Sequence, residues 1–185
     1  MKFYSGFSLK NERDFFKDYI KDTKYSACGF SYGAIKAFEY VKEQLACGNR
    51  IDTLQLFSPA FFQTKSDKFK RLQTLSYTKS EDKYLTQFID GCFLPHPKST
   101  SSLSLTAHAK KEIEHTQTTL DELEELLGYE WVLPDLQEII DKGVSIEVYL
   151  GEKDKIIDVV SARELFLEVS TVTYIKDANH FLQTN

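Results

Sequence analysis

The chain has 185 residues, 42% hydrophobic and 14% aromatic with only four prolines, which is enough apolar material for one folded core and excludes a disordered chain. Its net charge of -5 excludes a basic nucleic-acid-binding domain, and no run of about twenty apolar residues exists to span a membrane. Cys28, Cys47 and Cys92 are odd in number and lack C-x-x-C spacing, so neither a disulfide framework nor a zinc site is expected, and buried free thiols are. No metal or cofactor is expected.

Met1 to Tyr4 is a short strand candidate that leaves through Ser5-Gly6-Phe7-Ser8. This start has no apolar signal-peptide core, so a cytoplasmic location is expected. Phe15, Phe16, Tyr19 and Ile20 recur at helical spacing, which predicts an amphipathic helix over 12–21 capped by Asn11 or Ser8. Tyr25 to Phe30 is a second strand. It runs into Gly29-Phe30-Ser31-Tyr32-Gly33, after which Ala34, Ala37, Phe38, Val41 and Leu45 fall on one helical face, with Gly48 as the stop. Ile51 to Phe57 is the third strand, closed by Ser58-Pro59.

From Phe61 to about Gly143 the alternation stops. Candidate helices lie at 65–77, 81–91, 106–127 and 134–142, and this stretch, 61–143, is expected to be a helical lid or a layer covering the sheet edge. Its charge is uneven: Phe61 to Lys111 holds nine Lys or Arg against four acids, whereas Glu112 to Asp141 holds ten acids and no Lys or Arg. A basic stretch can steer an acidic partner, and solvated helix faces give the same pattern. Val144 to Leu150 alternates as a strand, Ser161 to Val169 is a helix and Thr171 to Ile175 is the last strand. Strands alternating with helices predict an α/β domain with a parallel sheet, whose ligands gather at the carboxyl ends of the strands.

G-x-S-x-G between a strand and a helix is the pattern of a nucleophile elbow, in which a strained turn lifts a serine above the sheet. A serine hydroxyl attacks only when a base takes its proton, and the base needs a carboxylate to fix its tautomer. Asp154 follows the penultimate strand and His180 follows the last, so both would emerge at the same edge as Ser31. Asp158 competes with Asp154, which is preferred because Gly151 marks the turn. His96, His108 and His115 have no ligand spacing and are expected to be surface or core histidines.

In that order these segments resemble the α/β-hydrolase family: Ser5-Gly6-Phe7-Ser8-Leu9 is similar to its oxyanion loop, Gly29-Phe30-Ser31-Tyr32-Gly33 to its elbow, Gly151-Glu152-Lys153-Asp154 to its acid turn and Asn179-His180-Phe181 to its histidine loop. The resemblance implies one α/β-hydrolase domain over 1–185, with about five mostly parallel strands and a helical lid insertion. It makes Ser31 the nucleophile, His180 the base and acid, Asp154 its orienter, and the backbone N–H groups of Phe7 and Tyr32 the oxyanion hole. The chain starts at what would be the third strand of a standard member, and only nineteen positions separate Glu12 from Ser31.

More narrowly, Tyr4 to Glu12 is similar to the H-G-W-G-L-N segment of the pimeloyl-acyl-carrier-protein methyl ester esterases of biotin synthesis, particularly the small BioV type, with Ser5 in place of the histidine. This resemblance implies cleavage of the methyl ester of pimeloyl-acyl carrier protein through an acyl-enzyme. Acyl carrier proteins are acidic, so Lys65, Lys68, Lys70, Arg71, Lys79 and Lys83 are candidates for that contact, and Phe61, Phe62, Phe88 and Phe93 for an acyl tunnel. An acyl thioesterase, a general carboxylesterase and a non-catalytic carrier-binding module are the alternatives.

Overall fold

The computed structural model describes residues 1–96 and 116–184. Five parallel strands form one sheet in sequence order: β1 (Lys2–Tyr4), β2 (Ser26–Phe30), β3 (Thr53–Phe57), β4 (Ser145–Gly151) and β5 (Thr171–Ile175). The register places Tyr4 opposite Gly29, Phe30 opposite Phe57, Phe57 opposite Tyr149 and Gly151 opposite Ile175. The loops that carry the candidate residues therefore leave from one edge.

Among the described residues there are six α-helices: α1 (Tyr32–Ala46), α2 (Asp67–Lys79), α3 (Glu81–Phe93), α4 (Leu120–Gly128), α5 (Leu133–Asp141) and α6 (Val159–Leu167). Their starts follow local chemistry. Ser66 accepts from the Phe69 N–H to open α2, and Thr119 and Glu122 form a reciprocal capping box at α4. Asp158 caps α6 by accepting from the Ser161 N–H at 3.2 Å.

Side chains alternate across the strands. Ala27, Leu54, Leu56, Ile146, Val148 and Leu150 face a core built with Ala34, Phe38 and Val41 of α1, Leu136 and Ile139 of α5, Phe166 of α6 and Trp131. The indole N–H of Trp131 donates to the Ala60 carbonyl at 2.8 Å. The opposite face, with Cys28, Phe30, Phe57 and Tyr149, is closed by Phe16, by Phe181 and by Ile89, Cys92 and Phe93 at the end of α3. Phe16 lies 4.8 Å from Phe30 and 4.9 Å from Phe57 between ring centroids, and Tyr19 lies 5.3 Å from Tyr149.

Three expectations change. The helix expected over 12–21 is a single 3-10 segment, Glu12–Phe16, and Asn11 at its start makes no side-chain cap. The chain there is pinned by tertiary contacts instead: buried Gln55 accepts from the Lys21 N–H at 2.8 Å and donates to the Tyr19 carbonyl at 2.9 Å. Cys28 and Cys92 are buried, but Cys47 is exposed because it follows the end of α1. The helix expected over 106–127 lies partly outside the described residues, as do His108 and His115; its described part is Leu120–Gly128. Among the described residues, no helix is long and apolar enough to cross a membrane.

Candidate active site

Ser31 sits at the junction of β2 and α1 with φ 52° and ψ −114°, a conformation that costs a non-glycine residue of order 1–3 kcal/mol. It occupies the N-cap position of α1, yet its side chain makes no capping hydrogen bond. A serine placed there only to start the helix would use its hydroxyl for that purpose. The turn is feasible because its flanking residues lack side chains. A Cβ on Gly29 would stand 2.0 Å from the Gly33 carbonyl oxygen, and one on Gly33 would stand 2.1 Å from the Tyr4 carbonyl oxygen. The elbow is thus wedged against the end of β1.

The acid turn and the histidine loop are joined to each other. Lys153 N–H donates to the Ala178 carbonyl at 2.8 Å, and Glu152 N–H to that of Ile175 at 2.9 Å. Asp154 Oδ1 accepts from the Ile156 N–H at 2.7 Å, and Asp154 Oδ2 lies 2.6 Å from His180 Nδ1. Both of the latter side chains are fully buried. An ionised carboxylate only accepts, so Nδ1 carries the proton and Nε2 the lone pair. Nε2 is buried and has no hydrogen-bond partner among the described residues. Asp158 is used otherwise, capping α6 and accepting from the Thr64 hydroxyl at 2.8 Å. Burial, the largest single influence, pushes the Asp158 carboxyl up, but Thr64, Ser161 and Lys65 together outweigh it and hold the carboxyl below its ordinary value.

The exit of β3 links serine to histidine. Ser31 N–H donates to the Phe57 carbonyl at 2.9 Å, the Ala60 N–H donates to the Ser31 carbonyl at 3.1 Å, and the Ser58 hydroxyl donates to the His180 carbonyl at 2.8 Å. The imidazole packs 4.9 Å from the ring of Phe30, the residue before Ser31.

Phe7 and Tyr32 meet above this junction with ring centroids 6.2 Å apart. Among the described residues neither backbone N–H has a hydrogen-bond partner. Tyr32 begins α1, whose first turn contains no acidic residue, so the positive end of the helix dipole adds to its N–H. The Tyr32 hydroxyl donates to Glu125 of α4, which also pairs with Lys36 at 2.7 Å. Burial, then Glu125, drives the Tyr32 phenol well above its ordinary range.

A cavity of about 320 Å³ lies between α2, α3 and α4 and the loops after β3 and β4. Phe62, Phe69, Phe88, Leu126, Leu127 and Ile156 make its apolar wall, with Gln73, Ser76, Tyr84, Gln87 and Lys155 as polar members. Burial raises the Tyr84 hydroxyl to about 12. Phe88 also packs 6.2 Å from Phe7, so the cavity adjoins the loop over Ser31. Of the four phenylalanines expected in a tunnel, Phe62 and Phe88 line this cavity. Phe61 instead packs on Phe166, and Phe93, five positions beyond Phe88 and so on another helical face, packs on Phe15 and Phe181.

On the far side of α2, Lys68, Arg71 and Lys79 fall within one helical stripe with Leu72 and Leu75, which are 51% and 57% exposed. Lys70 lies on a different side of α2 and is half-buried, Lys65 precedes the helix, where its ammonium lies 5.9 Å from the centre of the Phe69 ring, and Lys83 is exposed on α3. His96 is engaged with the Asp177 carbonyl at 2.7 Å. Among the described residues no group of three or more His, Cys, Asp or Glu could hold a metal ion. Sequence reading missed Glu12, Ser58 and the exposed leucines, since their roles arise from contacts distant in sequence or from exposure.

No protein-family model and no curated protein matches the chain in sequence. Solved structures do match its fold. A carboxylesterase from Nitrososphaera gargenis is 12% identical with a TM-score of 0.56, covering 94% of this chain and 66% of its own. An esterase from Exiguobacterium antarcticum is 14% identical at 0.54, covering 82% of this chain and 57% of its own. BioG from Haemophilus influenzae is 10% identical at 0.56, covering 97% of this chain and 87% of its own. The chain thus spans less than two thirds of the length of the two esterases and most of that of BioG. It has an α/β-hydrolase fold.

Proposed function

We propose that the protein is a serine esterase that cleaves the methyl ester of pimeloyl-acyl carrier protein through an acyl-enzyme. The observation that supports the esterase reading is an uncapped serine at positive φ at the exit of β2, with a histidine whose Nδ1 is taken by a buried carboxylate on the loop after β5 at the same sheet edge. In this reading Ser31 Oγ attacks the ester carbonyl while His180 Nε2 takes its proton. The tetrahedral oxyanion is received by the N–H groups of Phe7 and Tyr32, each worth roughly 3 kcal/mol of barrier. Collapse breaks the C–O bond, and His180 returns the proton to the leaving methanol. Water, deprotonated by His180, then attacks the acyl-enzyme; collapse breaks the bond from the acyl carbon to Ser31 Oγ, His180 returns the proton to Oγ, and the acid is freed. Asp154 stabilises the imidazolium in both halves.

Two faces of α2 support a carrier-borne substrate. Phe69, Gln73 and Ser76 line the cavity, which is suited to one slender acyl chain, while Lys68, Arg71 and Lys79 face outward beside Leu72 and Leu75. Cations interleaved with exposed leucines suit an acidic, helical partner surface, the chemistry of an acyl carrier protein. The narrow resemblance of Tyr4 to Glu12 supplies the pimeloyl methyl ester, and the likeness to BioG in fold and length is consistent with it. Within 61–143, α2, α3 and α4 then act as the lid over the cavity, while Trp131 and α5 belong to the core. The test is turnover of carrier-bound pimeloyl methyl ester, the corresponding carrier thioester and a small aryl ester. Preferential release of methanol from the first supports the reading; equal rates on all three would leave a general carboxylesterase, and preferential thioester cleavage a thioesterase.

A further inference from the structure

The buried carboxylate of Glu12 has no place in the chemistry above. The residue is fully buried, and among the described residues no cation pairs with it. Glu12 Oε1 accepts from the Gly6 N–H at 2.7 Å, whereas Oε2 is buried without a partner. Burying a carboxylate with half its hydrogen-bonding capacity unused is unfavourable, so stability does not account for it.

Its contact lies in the loop that presents Phe7. A Cβ on Gly6 would stand 2.8 Å from the Phe30 ring, so glycine is required where the loop crosses the residue before Ser31. Glycine brings the widest conformational freedom of any residue, at the position that sets the direction of the next N–H. Two hydrogen bonds remove that freedom. Leu9 N–H donates to the Gly6 carbonyl at 3.1 Å, which fixes the Gly6–Phe7 peptide plane and, because a trans peptide points its N–H opposite its carbonyl, turns the Phe7 N–H away from the closed turn. Glu12 fixes the preceding plane through the Gly6 N–H. Together they lock both dihedrals of Gly6.

We propose that Glu12 is a positioning residue, which holds the Phe7 N–H in its oxyanion-binding direction by gripping the Gly6 N–H. The inference rests on the esterase reading. It predicts that the acceptor atom, not the bulk or the charge, is what the site needs.

The test compares Glu12→Gln, which keeps an acceptor, with Glu12→Met, which keeps the volume and loses it. With a small aryl ester, Glu12→Gln should hold kcat within about 3-fold, while Glu12→Met should lose about 30-fold in kcat with KM within 2-fold, less than the loss of a whole oxyanion donor. Affinity for a trifluoromethyl ketone, which forms an oxyanion on Ser31, should fall in parallel, with product-acid binding unchanged. Should Glu12→Met not fold, Glu12→Asp, whose shorter side chain withdraws the acceptor, is measured instead. Unchanged kcat in the acceptor-less variant, or an equal loss in Glu12→Gln, would overturn the positioning role while wild-type Ser31 still reacts with a fluorophosphonate. A wild-type Ser31 that fails to react would overturn the esterase reading and this inference with it.

Discussion

His180 Nδ1 lies 2.6 Å from Asp154 Oδ2 in a fully buried pair, while Asp158, four positions on, is spent on capping α6. The two carboxylates therefore separate cleanly by experiment. Asp154→Asn should lower kcat by roughly three to four orders of magnitude with little change in fold, because an amide can donate to Nδ1 and fix the wrong tautomer. Asp158→Asn should leave kcat within a few-fold. Steady-state kinetics on a small ester, beside circular dichroism, checks both, and similar losses in the two variants would contradict the assignment.

Gly33→Ala tests the wedge between elbow and β1. Its Cβ would fall 2.1 Å from the Tyr4 carbonyl oxygen, a backbone atom that moves only with the strand. A loss of about 3 kcal/mol in unfolding free energy is expected. Gly128→Ala is the control, since nothing lies within 4 Å of a Cβ there and helix propensity favours alanine.

Charge reversal at Lys68 and Arg71 should weaken turnover of the carrier-bound ester by about tenfold, mainly through KM, and become less severe as salt is raised. Hydrolysis of a small aryl ester should not change. Leu75→Asp on the same stripe should act in the same direction. Equal losses on both substrates would make the stripe a structural feature of α2.

Glu12 gives a pH signature in stability. Burial raises its carboxyl above the ordinary 4.5, against the opposing pull of its own N–H, the Gly6 N–H and the Ser5 hydroxyl. The folded state thus holds a proton that the unfolded chain releases first. Stability from this group is full below 4.5 and is lost as pH rises through the raised value. Glu12→Gln, neutral throughout, should gain on the wild type in urea midpoint between pH 4 and pH 7. A constant difference would contradict the raised value.

Much of this was legible in the sequence, for reasons that differ by element. β2, β3 and α1 could be read because buried parallel strands are nearly continuous apolar runs and α1 carries Ala34, Ala37, Phe38 and Val41 at helical spacing, whereas β4 showed through its alternation and β5 through its β-branched Thr171, Val172 and Thr173. The separation of Asp154 from Asp158 was less so, since both follow the same turn and only the cap of α6 distinguishes them. The 3-10 segment at Glu12–Phe16 was hidden because Gln55, more than thirty residues away, captures the backbone of Tyr19 and Lys21. Phe61 and Phe93 look like Phe62 and Phe88 in composition, and only the direction in which each side chain leaves its element separates core from cavity.

The central claim is that Ser31 is an activated nucleophile. Incubating folded protein with a fluorophosphonate and locating the adduct by mass spectrometry tests it most directly. One adduct on Ser31 is expected in the wild type, none in Ser31→Ala, and labelling slowed by at least about a hundredfold in His180→Ala. Folded wild-type protein that carries no adduct at Ser31 would contradict the claim and leave a hydrolase-fold module that binds a carrier without catalysis.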